Sequence, residues 1–133
     1  MKDIIFDNFQ DSVDNCLIRH RSILDILTKY TESSSKVNRS IAKAVTHCGC
    51  IQINASKQNS LKENCSDEND MKKCFNPHIT GDLCNDCREV IEKEIGSNLF
   101  YLTAICNSLN INLYDVLLQE YNKNQTLGKF NLR

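Results

Sequence analysis

The residues best suited to chemistry in this chain are its cysteines. Cys48-Gly49-Cys50 and Cys84-Asn85-Asp86-Cys87 form two close pairs of thiols on either side of a polar stretch. A tetrahedral metal ion takes four thiolates at about 2.3 Å, and two close pairs are how two chain segments usually supply them. Gly49 allows the tight backbone that aims both thiols of a Cys-X-Cys pair at one point. The second pair stands where a helix is expected to begin, and a helix N-terminus favours thiolate over thiol. The expectation is a closed structural metal site of Cys48, Cys50, Cys84 and Cys87, with zinc preferred and an iron–sulfur cluster second. Two readings compete with it: unconnected buried thiols, and a redox dithiol whose pairs meet only on oxidation. Cys65, Cys74, His47 and His78 are substitute ligands in weaker context. Cys16 and Cys106 lie on apolar stripes and read as core.

Such a site needs two elements whose ends meet. Phe9, Val13, Cys16/Leu17, His20, Leu24 and Leu27 recur at steps of three and four, and the stripe runs on through Tyr30, Ser34, Val37, Ile41, Ala44 and Cys48. That is the helical period over about 9–48, with neither Gly nor Pro inside it. A break is expected either at 20–22, where Ser22 and Asp25 can make a capping box, or in the weakly helical run 31–35. His20, on the apolar face, reads as a core histidine. The period returns after Asp82, the expected N-cap, through Cys84, Cys87, Ile91, Ile95, Leu99, Leu102, Ile105/Cys106 and Leu109. Asn110 or Asn112 interrupts it. Asn112 with Asp115 then caps a last helix from Leu113 to about Lys123, with Tyr114, Leu117, Leu118 and Tyr121 as its buried side, before an extended tail.

Residues 54–82 have no apolar period, and no strand signal competes anywhere. A polar segment of that kind cannot bury enough surface to offset its ordering entropy. The expected fold class is all-α: a single domain over 1–133, a bundle of about four helices, with 54–82 as a loop free to stay disordered. If the helices flanking this loop run antiparallel, the cysteine pairs meet at one end and a shared ion would close the loop.

Composition narrows the partners. Sixteen basic and seventeen acidic side chains give a net charge of −1, so no global field draws the chain to nucleic acid or to an anionic membrane. No stretch approaches the ~18 apolar residues of a membrane span. The opening residues do not read as a secretory signal, and a cytoplasmic location is expected.

The run Glu94-Ile95-Gly96-Ser97-Asn98-Leu99-Phe100-Tyr101-Leu102, followed by the break Asn110-Ile111-Asn112-Leu113, carries a resemblance. It resembles the second half of the MazG-like nucleotide pyrophosphohydrolases, whose pattern is E-L-G-D-x-L-F-Y-L, a short break and another helix. Residues 29–45 occupy the place of that family's first acidic helix, usually of the form E-x-x-E. The resemblance implies an all-α fold, association into dimers or larger bundles, and magnesium-dependent cleavage of a nucleoside triphosphate to the monophosphate and pyrophosphate. It also implies carboxylate pairs at i, i+3 on two facing helices, holding the ion that activates water. Glu32 and Glu94 match the first members of those pairs, but Ser35 and Ser97 stand where the second acids belong. Each serine deletes a charge and is a poor magnesium ligand. At ~1.5 Å per residue, Glu32 and Ser97 should lie roughly 24 and 15 Å from the cysteine end, near one level.

Around that level, Lys36, Arg39 and Lys43 recur at three and four, either as a phosphate-binding stripe or as a solvated basic face. Asn98 could read a nucleotide or be a satisfied core amide. Glu89 and Glu92 lie off the apolar stripe and are expected in solvent. The leading expectation is a MazG-like domain with a structural metal site and degraded catalytic acids, kept for nucleotide binding, partner recruitment or homo-oligomer assembly. The alternatives are a working magnesium-dependent pyrophosphohydrolase using Glu32 and Glu94, and a redox-responsive interaction protein.

Overall fold

The computed structural model describes residues 3–58 and 74–128. Among them the chain forms α1 (Ile4–Cys16), α2 (Ile23–Lys43), β1 (Ile51–Ile53), β2 (Ile79–Gly81), α3 (Asn85–Ser108) and α4 (Leu113–Leu127). Four helices with one small two-stranded ribbon make the all-α class expected from the periodicity.

Each helix start has a side-chain cap. Asp3 accepts from the amides of Ile5 and Phe6, Ser22 from Leu24, Cys84 from Cys87, and Asn112 from Asp115. These bonds satisfy amides that the first helical turn leaves without a carbonyl partner. The break between the first two helices falls just before Ser22. The serine run lies inside α2 instead, where the hydroxyls of Ser33 and Ser34 donate back to the Tyr30 carbonyl and that of Ser35 to the Thr31 carbonyl.

Several expectations change here. Next to the break the expected stripe misses, since Ile26 is 1% exposed while Leu24 is 72% exposed, but its later members Tyr30, Val37, Ile41 and Ala44 do turn inward. His20 is exposed in the connection, with φ 56° and its Nδ1 3.6 Å from an Asp25 oxygen, and is not a core histidine. Cys16, the last residue of α1, is exposed, whereas Cys106 is buried as expected. Cys84, not Asp82, caps α3. Helix α4 continues to Leu127, through residues expected to be extended, and its buried residue is Leu113, while Leu117 and Tyr121 face outward. Residues 129–133 and 59–73 lie outside the described residues, so the expected loop is seen only at its ends.

Helices α2 and α3 form the antiparallel hairpin on which the rest is built. At one end Val13, Ile26 and Ala104 make a buried cluster with Phe9, Leu17, Phe100 and Ile105 around it. At the other, Ala44, Ile51 and Ile91 pack with Ile41, Val45 and Leu83, and with Cys50 and Cys87. Between them the contact is polar: Asn98 Nδ2 donates to Ser33 Oγ at 3.1 Å and to Ser34 Oγ at 2.9 Å. Helix α1 holds the turn after α3 through Gln10, whose Nε2 donates to Asn107 Oδ1 at 2.9 Å and whose Oε1 accepts from the Leu113 amide at 2.8 Å.

Among the described residues the ribbon is the one strand element, and the periodic reading did not anticipate it. β1 and β2 pair antiparallel with Ile51 opposite Gly81, Gln52 opposite Thr80 and Ile53 opposite Ile79. The Asn54 amide extends the ladder to the His78 carbonyl at 3.0 Å. Three residues per strand are too few for an alternation to be read from sequence.

Candidate metal centre

The two cysteine pairs arrive at one point because two different terminations face each other. The end of α2 widens into a π-type turn over Ala44–Cys48. Gly49 closes it in the left-handed region at φ 80°, with its N–H donating to the Ala44 carbonyl at 2.8 Å. A glycine there carries no Cβ penalty. Cys48 and Cys50 therefore bracket a reversal, and Cys50 leads directly into β1. On the other side β2 returns the chain to Cys84, and α3 begins with Cys87 in its first turn. The ribbon keeps the two approaches side by side. Gly81 is required at its base: with φ +90°, an added Cβ would lie 2.6 Å from the Cys50 carbonyl oxygen.

The sulfurs of Cys48, Cys50, Cys84 and Cys87 all lie within 4.8 Å of one another, and those of Cys48 and Cys84 are 3.8 Å apart. These four residues could hold a metal ion, and they are the one such group among the described residues. Cys50 and Cys87 belong to the apolar cluster beneath, whereas Cys48 is exposed. The Cys87 amide donates to Cys84 Sγ at 3.4 Å, and this bond lowers the Cys84 thiol to a pKa of about 7. Cys87 moves the other way, because its proton is held in a hydrogen bond with Cys84. Of the substitute ligands, His47 and His78 stand outside the group, Cys74 is disulfide-bonded, and Cys65 lies outside the described residues.

The level of Glu32 and Glu94 is a separate feature. Both line a cleft of about 230 Å³ between α2 and α3, together with Lys29, Ser33, Lys36, Lys93, Ser97 and Tyr101. The near match of levels expected from helical rise is realised. Glu32 is flanked along its own helix: Lys36 Nζ is 3.2 Å from its Oε1 and Lys29 Nζ 3.5 Å from its Oε2. Lys36 first, and then Lys29, hold its carboxyl below the usual carboxylate range. Lys36 belongs to the cleft, but Arg39 does not line it. Asn98 is half-buried, and its amide nitrogen donates to the two serine hydroxyls. Glu89 and Glu92 are exposed, as expected.

Sequence reasoning did not pick out Lys29, Lys93 and Tyr101. A signal existed, since residues 29, 32 and 36 step by three and four, and 93, 97 and 101 step by four. A larger depression of about 440 Å³ beside α1 is lined by Asp7, Gln10, Asp11 and the asparagines of the α3–α4 turn. Its amides Gln10, Asn107 and Asn112 are engaged in holding α1 to that turn.

Fold and site together define a class: an all-α protein with a four-cysteine centre at one end of a helical hairpin. No family model, no curated protein and no solved structure matches the chain. Among the described residues no helix is long and apolar enough to cross a membrane.

Proposed function

We propose that this chain is a helical module closed at one end by a structural zinc ion on Cys48, Cys50, Cys84 and Cys87. We further propose that its Glu32/Glu94 level is a MazG-like catalytic level without a working magnesium site. The observation that carries the first part is the mutual approach of four sulfurs within 4.8 Å. Four thiolates at about 2.3 Å from one ion lie ~3.8 Å apart at the tetrahedral edge, and the Cys48–Cys84 separation is 3.8 Å. An iron–sulfur cluster places its cysteine sulfurs on two or more separate irons and so spreads them wider than a single ion does, which disfavours it here. With all four positions filled by protein, no coordination site is left for a substrate, so the ion's work is structural. It would hold the two ends of the segment between β1 and β2 together.

The second part rests on the chemistry of the cleft. Magnesium asks for several oxygen ligands in near-octahedral order. Two carboxylates stand here, and Glu32 is already paired with two ammonium groups. What such a module retains is nucleotide binding or assembly with further copies. The exposed apolar residues Ile95 and Leu99 on α3 and Leu109 just beyond its end supply a surface for assembly.

Metal analysis of freshly purified protein tests the first part, with about one zinc per chain expected and chelation lowering helicity. A metal-free protein that forms mixed disulfides under mild oxidant would replace the zinc reading by the redox one. Pyrophosphate release from nucleoside triphosphates with magnesium tests the second part, and none is expected. Release that Glu94→Gln abolishes would overturn the disarmed reading.

A further inference from the structure

In the cleft between α2 and α3, the ammonium groups of Lys29, Lys36 and Lys93 face the carboxylates of Glu32 and Glu94, a lining of net charge +1. We propose that this cleft binds the phosphate groups of a small phosphorylated ligand directly through its lysines, with no divalent cation. The proposal rests on reading this level as disarmed and is independent of the zinc centre.

The charge arrangement argues for an anion and against a cation. Both oxygens of Glu32 are taken, one by Lys36 and the other by Lys29. A magnesium ion at Glu32 would therefore sit within a few ångströms of two like charges, with one of its ligands already spent. For an incoming phosphate the same geometry is favourable. Glu32 gathers Lys29 and Lys36 beside the cleft but competes with a phosphate for both ammonium groups, and the phosphate carries the greater negative charge. Opposite them, Lys93 makes no ion pair among the described residues. Ser97 and Tyr101 follow Lys93 at i+4 and i+8 on the same face of α3, and their hydroxyls make no hydrogen bond among the described residues. Ammonium groups on both walls with free hydroxyl donors between them match the needs of a phosphate, which offers acceptors only. The volume, about 230 Å³, falls below the ~300 Å³ at which drug-sized ligands begin to be enclosed. A diphosphate group fits, and any organic part it carries lies outside.

Titration calorimetry on the zinc-loaded full chain at low ionic strength tests this, using inorganic pyrophosphate and a nucleoside diphosphate, each in a magnesium-free buffer and in one with magnesium. Binding is expected without magnesium, weakened at least tenfold by Lys93→Met or Lys36→Met. Glu32→Gln is the discriminating variant. It releases both lysines and raises the net charge, so a several-fold tightening is expected, whereas a magnesium-bridged ligand would be lost. Equal affinity for the two ligands places recognition in the phosphates alone; tighter binding of the nucleoside form adds contacts at the rim. Both results support the proposal. Binding that requires magnesium, that disappears in Glu32→Gln, or that is absent from both buffers overturns it. Zinc content and helicity measured on the same samples keep failure of the metal centre distinct from failure of the cleft.

Discussion

Cys84 does two things at once: it caps α3 by accepting the Cys87 amide at 3.4 Å, and its sulfur lies 3.8 Å from that of Cys48. The amide bond stabilises its thiolate, which is why its pKa falls to about 7. Protons and metal compete for thiolate, so the sign of the pH dependence follows directly. Above pH 7 the Cys84 ligand is already deprotonated and binding releases fewer protons; below pH 7 it must lose one as well. Zinc affinity, measured by competition with a chromophoric chelator at pH 6, 7 and 8, should fall as pH falls, and more steeply between 7 and 6 than between 8 and 7. The glycines give a second test at this scale. Gly81→Ala adds a Cβ 2.6 Å from the Cys50 carbonyl oxygen, while the same change at Gly49 meets nothing within 4 Å. Denaturant titration should show a loss of about 1–3 kcal/mol at Gly81, where backbone must shift. At Gly49 the loss should stay near ~1 kcal/mol, the left-handed preference alone.

Among the elements, the α2–α3 hairpin is polar at its middle and apolar at its ends. Asn98 spans that middle, and Ser33, one of its two acceptors, is 3% exposed. Asn98→Ala removes the cross-helix bonds and should cost about 1–2 kcal/mol in denaturant titration; little change would mean the serine hydroxyls are satisfied by their own helix. The elements also separate what patterning reveals from what it hides. Ser22 and Asn112 were legible as caps, because a cap is a local bond between neighbours in sequence. The first turns of α2 were not, since the stripe extrapolated from α1 across the break selects Leu24 and Leu27 where Ile26 is buried; farther along, Tyr30, Val37, Ile41 and Ala44 turn inward as expected. The ribbon was hidden for a different reason. Its pairing of Ile51 with Gly81 joins residues thirty apart, and neither strand carries a period of its own.

For the whole molecule, the two clusters divide the fold. One joins α1, α2 and α3 around Val13, Ile26 and Ala104; the other lies under the cysteines around Ala44, Ile51 and Ile91. An ion at the cysteines supports only the second. Removing a metal bound there should therefore speed amide hydrogen exchange across 44–53 and 79–91 while α1 and the C-terminal half of α3 keep their protection. Uniform loss of protection would mean the two clusters fold as one unit. Ile26→Ala, in the first cluster, should cost roughly 2–4 kcal/mol whether or not metal is bound.

The sequence by itself determined the helical class, the caps at Ser22 and Asn112, and the two thiol pairs, because these depend on period, on neighbours and on short spacing. The serines at 35 and 97, three residues after Glu32 and Glu94, are likewise read directly. Only the tertiary structure decided that the thiol pairs converge, and that Lys29 and Lys36 face Lys93 and Tyr101 across one cleft. A helical period says which side of a helix turns inward. It does not say which residue of another helix, sixty positions away, will stand opposite, because that is set by how the packed elements slide and rotate against one another.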